Sequence, residues 1–415
     1  MSKRITAGAG ALTFALVLAG CTSGSGANSG SGDSVIKIGV AISETGSYSA
    51  EGESVRHGYE YWEKRIDAAG GIDVDGKKQP VELVFYDDQS KPETAIKLVQ
   101  RLISNDKVDF LFGPYSSGLT LATSAIAKQY KTIMFAGAGS ASAIFKDGNE
   151  YVFSPLSITP QYARSALDLL SEQGVKTVAV LHTDEAPMVE ADKATAAYGP
   201  EVGIKVVASQ SLPADSTDAR GAMGQLKAAG PDALLIFGTS VVGTLAVNTQ
   251  RELNWNLPTA AIPAAGEGAF VKTLGAKKAV GILGASQWED GAKFEDDFFG
   301  TAKEFAAGFQ KEFGEGPTYL SASAAAAGYT LQLAVEAADS TDSAAVQDAL
   351  YDLDVDTFFG HIDFADPGDK SGLVGANVER PMLAIQLNKT GRRTIIGPAD
   401  AATDKYAPFV AWDKR

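Results

Sequence analysis

Cysteine, histidine and the common catalytic motifs are almost absent from this sequence. Its 415 residues include one cysteine, Cys21, and three scattered histidines, His57, His182 and His361. A single cysteine excludes an intramolecular disulfide, and the sequence contains neither H-E-x-x-H nor C-x-x-C. It also lacks G-x-x-x-x-G-K-[ST] and G-x-S-x-G, which excludes a P-loop and a nucleophile elbow. We therefore expect no catalytic residue, no metal and no cofactor.

Basic residues are outnumbered by acidic ones. The chain has 36 lysines and arginines against 51 aspartates and glutamates, a formal net charge of −15 at pH 7. Proteins that bind nucleic acids need clustered basic residues to neutralise phosphates, so no nucleic-acid partner is expected. Net charge governs solubility and steering, while local donors decide what a site binds, so this surface remains compatible with an anionic ligand.

Long apolar runs are also missing, apart from one short stretch at the N-terminus. Lys3 and Arg4 precede residues 5–18, an apolar segment that is too short to span a bilayer but typical of a secretory signal. The L-A-G-C that follows, ending at Cys21, resembles the lipobox of bacterial lipoproteins. The resemblance implies that residues 1–20 are a signal peptide and that Cys21 is lipidated.

The segment after the cysteine is predicted to connect the lipid anchor to the folded part of the chain. Residues 21–34 are mostly Gly, Ser and Asn, a composition that predicts a flexible tether. The roughly 380 residues that follow exceed one ordinary core, which predicts two lobes. We expect a monomer, lipid-anchored on the extracytoplasmic face of the cell membrane.

Short apolar strands alternate with helical patterns from Val35 onward. The strands "VIKIGVAI", "VELVFYDD", "VDFLFG" and "TIMFAGAG" form a first series, and "TVAVLHTD", "KVVASQSL", "ALLIFGTS" and "TAAIPAA" form a second. Helical spacing between them, such as that of Val55, Tyr59, Trp62, Ile66 and Ala69, predicts helices that cover parallel sheets. "SKPE" at residues 90–93 predicts a capping box. The fold class is therefore α/β, with two similar lobes.

Two serines follow the third strand, directly after Gly113 and Pro114. In open parallel sheets, ligands bind at the carboxyl ends of the strands, which is where Ser116 and Ser117 are expected. Ser117 starts a helix, whose free N–H groups favour an anion, so its hydroxyl is a candidate ligand contact. The alternative is that Ser117 only caps the helix.

Three longer stretches carry a family resemblance: residues 70–118, "GASQW" (284–288) and "DALYDLDVDTFFGHIDF" (348–364). Together they resemble the branched-chain amino acid-binding proteins of ABC importers, which are type I periplasmic binding proteins. The resemblance runs from about residue 35 to residue 387. It implies two doubly wound parallel-sheet lobes joined by a three-crossover hinge, with permease subunits as partners. The implied N-terminal lobe is 35–153 plus 287–359, and the C-terminal lobe is 154–286 plus 360–415.

The resemblance also implies a ligand site in the first lobe. Ser117 would hold the ligand carboxylate, and the carbonyl of Ala138 with the hydroxyl of Ser140 would complete a clamp on the α-carbon substituents. Ser116 and Gly139 adjoin these groups. The small residue at position 139 would let a ligand approach the backbone closely.

The second lobe departs from the family pattern. The acid that holds the ligand ammonium in the family is matched only by Glu267, two or three residues out of register. The neighbouring strand ends offer His182, Thr239 and Ser240. Further contacts are expected from Tyr48 and Glu51 in the opening loop of the first lobe, and from Gln287 and Trp288 at a crossover.

The sequence therefore predicts a binding lipoprotein for a small, carboxylate-bearing, amino acid-like solute. Two alternatives share the fold: a ligand sensor, and a binder of another solute such as an amide or an aromatic acid. A secreted hydrolase is a third, and its only candidate pair, His182 and Ser117, would lie on opposite lobes.

Overall fold

The computed structural model describes residues 35–414. The signal peptide, the lipidated Cys21 and the tether that we predict at residues 1–34 lie outside the described residues. Within residues 35–414, no helix combines the length and the apolar character that crossing a bilayer requires.

The chain alternates strands and helices. The strands, in chain order, are β1 (Ile36–Ile42), β2 (Ile72–Val74), β3 (Lys77–Gln79), β4 (Val81–Asp87), β5 (Phe110–Phe112), β6 (Met134–Phe135), β7 (Val152–Ser157), β8 (Thr177–Thr183), β9 (Lys205–Leu212), β10 (Ala233–Gly238), β11 (Thr259–Pro263), β12 (Leu283–Ser286), β13 (Glu295–Asp296), β14 (Gly300–Thr301), β15 (Asp354–Thr357), β16 (Gly360–Asp363), β17 (Ala376–Asn377), β18 (Leu383–Leu387) and β19 (Arg393–Gly397). The helices are α1 (Ser49–Ala68), α2 (Pro92–Ser104), α3 (Ser117–Tyr130), α4 (Pro160–Glu172), α5 (Ala186–Tyr198), α6 (Arg220–Ala228), α7 (Ser240–Glu252), α8 (Gly268–Leu274), α9 (Ala276–Ala279), α10 (Ala302–Phe313), α11 (Tyr319–Ala338) and α12 (Ser343–Tyr351).

The first sheet has the order β17-β7-β6-β5-β1-β4, and all of its strand pairs are parallel. Alternate residues of β1 enter two different cores, Val40 on one face and Ala41 on the other, because successive side chains point to opposite faces of a sheet. Trp62 of α1 lies fully buried in the larger core. The packing between α1 and α11 is so close that a Cβ on Gly58 would lie 2.3 Å from the Ser321 carbonyl oxygen. The predicted helical face of α1 is confirmed from Val55 to Ile66, whereas Ala69, which follows the helix, is exposed.

The second sheet has the order β19-β18-β12-β11-β10-β8-β9. Its strands from β12 to β9 are parallel, as predicted, but β18 pairs antiparallel with both of its neighbours, β12 and β19. The β18–β19 pairing follows from a tight turn in which the side-chain oxygen of Asn388 accepts the N–H of Thr390 (3.0 Å) and Arg392 (3.1 Å). A connection this short reverses the chain, whereas a parallel pair needs a long crossover.

The chain passes between the two sheets three times, after β7, after β12 and between β17 and β18. The sheets differ from the predicted segments at two places. Strand β7 continues to Ser157 within the first sheet, and the third passage follows Asn377 instead of residue 359. Strands β15 and β16 form a hairpin that returns Ile362 and Phe364 to the core around Trp62.

Candidate functional site

A cavity of about 670 Å³ is lined by residues associated with both sheets. One side comes from the start of α1, the β5–α3 loop and the start of α11, and the other from the segments that follow β10 and β11. Both sides therefore include carboxyl ends of parallel strands, where open α/β sheets bind ligands. The lining residues are Ala50, Glu51, Ser54, Tyr115, Thr239, Ser240, Val241, Gly266, Glu267, Gly268, Ala269, Trp288, Glu289, Asp290, Pro317, Thr318, Tyr319, Leu320 and Arg393.

Glu267 places a carboxylate in this cavity. It lies between a 3₁₀ turn after β11 and the start of α8, and accepts hydrogen bonds from the backbone N–H (3.1 Å) and the hydroxyl of Ser240. Burial raises the pKa of Glu267, the bonds from Ser240 lower it, and the carboxylates of Glu51 and Glu185 raise it further. A positively charged group in the cavity would offset both the burial and the repulsion.

Two tyrosines line the same cavity opposite Glu267. Tyr115 lies in the β5–α3 loop, and Tyr319 is the first residue of α11. Burial raises the pKa of both phenols, and the Glu51 and Glu267 carboxylates raise it further. Both hydroxyls therefore stay protonated at neutral pH, and the Tyr319 hydroxyl forms a hydrogen bond with Tyr162. Sequence reasoning missed both, although Tyr115 lies in the motif that carries the two serines.

Ser116 and Ser117 have different roles. Ser116 is the N-cap of α3, since its Oγ accepts the N–H of Leu119 at 3.3 Å, and it adopts φ 79° and ψ 144°, which L residues rarely adopt. The Oγ of Ser117 accepts the backbone N–H of Ser140 (3.3 Å) and of Ala141 (3.2 Å). The alternative that Ser117 is the cap is therefore wrong. Two bonds accepted by a hydroxyl leave its proton free to be donated.

The loop after β6 holds the remaining first-lobe candidates. The carbonyl of Ser140 accepts the N–H (2.9 Å) and the hydroxyl (3.2 Å) of Thr159, and Ala138 is buried. A Cβ on Gly139 would lie 2.7 Å from Thr120 Oγ1, so packing against α3 by itself requires a glycine here. Ser116, Ser117, Ala138, Gly139 and Ser140 are not among the residues that line the cavity with Glu267.

The other candidates divide into two groups. Glu51, Thr239, Ser240, Glu267 and Trp288 line the cavity, whereas Tyr48, His182 and Gln287 do not. Tyr48 packs edge-on against the ring of Tyr115, with 5.4 Å between centroids. His182 is buried, with its Nδ1 2.8 Å from the Thr183 carbonyl oxygen and its Nε2 3.9 Å from Asp192, so it faces its own lobe.

Gln287 and Trp288 lie where the chain passes from β12 back to the first sheet. The Gln287 amide accepts the N–H of Ser157 at 3.0 Å and donates to its carbonyl at 2.9 Å, joining the first two passages. Trp288 is buried, and its Nε1 donates to the Phe358 carbonyl at 2.9 Å. Trp288 thus packs in the hinge and also forms part of the cavity wall.

Two arginines complete the arrangement, and sequence reasoning missed both. The Nε of Arg393 donates to both carboxylate oxygens of Glu289, at 2.8 and 2.7 Å, beside the cavity. Arg380 is 3 % exposed and donates to Ser157, Gln287 and Phe359. Burial lowers the pKa of Arg380 to about 9. An isolated arginine ordinarily indicates solvated surface, so no sequence signal pointed to this one.

The chain resembles known proteins over nearly all of its described length. A family model described as periplasmic binding protein matches residues 35–392. A Leu/Ile/Val-binding protein homolog 7 of Brucella abortus is 26% identical over 341 residues, covering 77% of this chain and 82% of the relative.

Solved structures show the same fold. The branched-chain amino acid transporter substrate-binding protein LivJ of Streptococcus pneumoniae, in complex with isoleucine, aligns with a TM-score of 0.71 and 23% identity over 87% of this chain and 98% of that one. A solute-binding protein of an ABC transporter from Rhodopseudomonas palustris, in complex with 3,4-dihydroxybenzoic acid, aligns with a TM-score of 0.68 and 20% identity over 89% of this chain and 94% of that one. The predicted fold, two α/β lobes joined by three crossovers, is confirmed, and the chain belongs to the periplasmic binding protein family.

Proposed function

We propose that this protein is an extracytoplasmic solute-binding protein of an ABC importer. It binds an amino acid-like solute in the cavity between its lobes and delivers it to a permease. The observation that carries the proposal is the Glu267 carboxylate, held by Ser240 in a cavity lined from both sheets.

The solute ammonium is assigned to Glu267. A buried carboxylate without a cation is costly, and an ammonium group that donates to it offsets the repulsion from Glu51. The phenol group of Tyr115 supplies a neutral donor next to this pair.

The solute carboxylate is assigned to the start of α3. The Ser117 hydroxyl accepts hydrogen bonds from the Ser140 loop, so its own proton can be donated to the solute carboxylate. The first N–H groups of helix α3 lack intrahelical acceptors and can donate to the same carboxylate. Tyr115, which lines the cavity, lies two residues before Ser117. The family resemblance assigns the same role to Ser117.

The lobes that we propose follow the sheets. One comprises residues 35–157 and 287–377, the other residues 158–286 and 383–414, and binding closes them about the three passages. The Glu190 carboxylate of α5 accepts the N–H of Ser142, 3.2 Å away in the loop after β6. This hydrogen bond joins the proposed lobes beside the Ser117 loop and would stabilise the closed form.

We also propose that the protein is a monomeric lipoprotein attached through Cys21. The support is the L-A-G-C sequence after a secretory apolar segment, followed by residues 22–34, which are rich in Gly and Ser. Such a tether lets the lobes reach a permease in the same membrane.

An aromatic acid, such as the ligand named for the Rhodopseudomonas palustris protein, is the second candidate solute. The cavity does not favour it. Glu51, Glu267 and Asp290 line the cavity, and none of them forms an ion pair within residues 35–414. An anion without an ammonium group would be repelled by all three carboxylates.

A thermal-shift screen followed by calorimetry tests this function. The panel contains the common amino acids, benzoate-type acids and, for each amino acid that binds, the deaminated acid and the decarboxylated amine. We expect binding only when both groups are present, with a stabilisation of about 2.7 kcal/mol at a hundredfold excess over Kd. Binding of benzoate-type acids but of no amino acid would refute the proposal.

A further inference from the structure

Glu51 is a carboxylate in the cavity that the proposed ammonium contact does not use. It is the third residue of α1 and lines the cavity from the side opposite Glu267. Its side chain forms no hydrogen bond or ion pair with any residue in the described range 35–414. A carboxylate that lines a cavity without a protein partner is open to a donor that a ligand supplies.

The charges around the cavity do not balance. Four acidic residues line it, namely Glu51, Glu267, Glu289 and Asp290, against one basic residue, Arg393. Arg393 binds Glu289 through both carboxylate oxygens, so this pair is internally neutral. A zwitterionic solute with an aliphatic side chain would bring one ammonium group, for Glu267. It would leave Glu51 in the cavity without a partner.

The walls of the cavity suit a long side chain with a charged end. Trp288 and Leu320 are buried apolar residues, and Val241 and Pro317 extend the apolar surface. Methylene groups pack favourably on such a wall while a terminal cation reaches a carboxylate.

We propose that the solute carries a second positive group in its side chain and that Glu51 determines this specificity. The substrate class is then a basic amino acid such as lysine, ornithine or arginine, with its α-ammonium group on Glu267 and its side-chain cation on Glu51. This inference rests on the proposed function, because it assumes that the cavity binds an amino acid.

A structural role for Glu51 makes a different prediction. An acidic residue in the first turn of a helix stabilises the helix through its dipole. Glu53 lies in the same turn of α1, is exposed and does not line the cavity. If Glu51 served the helix alone, Glu51→Gln and Glu53→Gln would have similar effects on stability and neither would change binding.

The test compares lysine with norleucine, which has the same chain without the terminal ammonium, by calorimetry on the purified full-length protein. We expect the Kd for lysine to be at least about tenfold lower than for norleucine, the size of one hydrogen-bonded charge contact. Glu51→Gln should remove this difference, and thermal unfolding of the variant shows that it is folded. Glu53→Gln should preserve the difference.

The possible failures are distinguishable. If norleucine or leucine binds the native protein as tightly as lysine and arginine do, or if Glu51→Gln retains the preference, the assignment to Glu51 is wrong while amino acid binding stands. If no amino acid binds, the proposed function fails and this inference fails with it.

Discussion

Arg380 donates two hydrogen bonds to Gln287, one from Nη1 to Oε1 at 3.0 Å and one from Nη2 to the carbonyl oxygen at 2.6 Å. The same guanidinium reaches the hydroxyl of Ser157 at 3.0 Å and the carbonyl of Phe359 at 2.6 Å. Ser157, Gln287 and Arg380 belong to the three passages between the sheets. One buried cation therefore connects the whole hinge through neutral acceptors, with no acidic partner among the described residues.

Arg380→Met should destabilise the protein by roughly 3 kcal/mol, because several buried acceptors lose their donor at once. Urea unfolding measures the loss. Arg164→Met is the matched control, since Arg164 is exposed and lies over the Tyr198 ring, at 4.9 Å. Its expected cost is within about 1 kcal/mol. Equal losses in the two variants would show that the hinge does not depend on Arg380.

Ser117→Ala should weaken solute binding by about tenfold to hundredfold, the range for a hydrogen bond to a charged group. Ser116→Ala should instead cost about 1 kcal/mol of stability through loss of the α3 cap and leave affinity nearly unchanged. Calorimetry and thermal unfolding of both variants separate these effects. If Ser117→Ala bound the solute with native affinity, Ser117 would not be a solute contact.

Glu63→Gln should make the protein more stable above pH 7. Burial raises the pKa of Glu63 from 4.5 to about 7, although the N–H of Leu83 lowers it and nearby acids raise it further. Below pH 4.5 the carboxyl group is protonated in both states. Between 4.5 and 7 the unfolded chain loses the proton first, so stability falls as pH rises.

The neutral glutamine keeps an oxygen for the Leu83 N–H, which Glu63 accepts at 2.8 Å, and abolishes this pH dependence. We expect a gain of roughly 1 kcal/mol at pH 8, well below the full value of the shift because the carboxyl is partly exposed. Unfolding in urea at pH 4, 6 and 8 measures it, with the exposed Glu53→Gln as control. A pH dependence identical to that of the native protein would contradict the assignment.

Cys21→Ala should leave a folded protein that carries no lipid and is no longer attached to the membrane. Metabolic labelling with a fatty acid, combined with fractionation of cells and medium, measures both effects. Ser23→Ala, two residues further along the proposed tether, is the control and should remain labelled. Label retained on the Cys21→Ala chain would contradict the lipoprotein proposal.

The sequence predicted features that depend on local periodicity. The α1 face of Val55, Tyr59 and Trp62 is buried as expected, because helical spacing alone determines which residues share a face. The capping box at Ser90 is wrong: α2 is preceded by Lys91 without a side-chain cap, and the Ser90 hydroxyl donates to Thr45 instead. A tertiary contact replaced the local one.

Features that depend on contacts between residues distant in the chain could not be predicted from the sequence. Glu267 appeared out of register, yet the segment after β11 places it in the cavity with Ser240. Arg380 acquires its role only when three separate passages meet around it. No periodic pattern or short motif in the sequence predicts that these three passages come together.

The parallel pairing of β17 with β7 and the antiparallel pairing of β18 with β12 have a consequence for the order of folding. Until residues 376–387 are in place, β7 and β12 are edge strands whose unpaired backbone groups can pair with another chain. Each of these two strand pairings joins segments that are about 100 residues or more apart in the sequence. Forming such a pair costs loop-closure entropy and slows folding. Neither sheet can therefore be completed without residues 376–387. A chain truncated before residue 376 should aggregate instead of forming one native lobe.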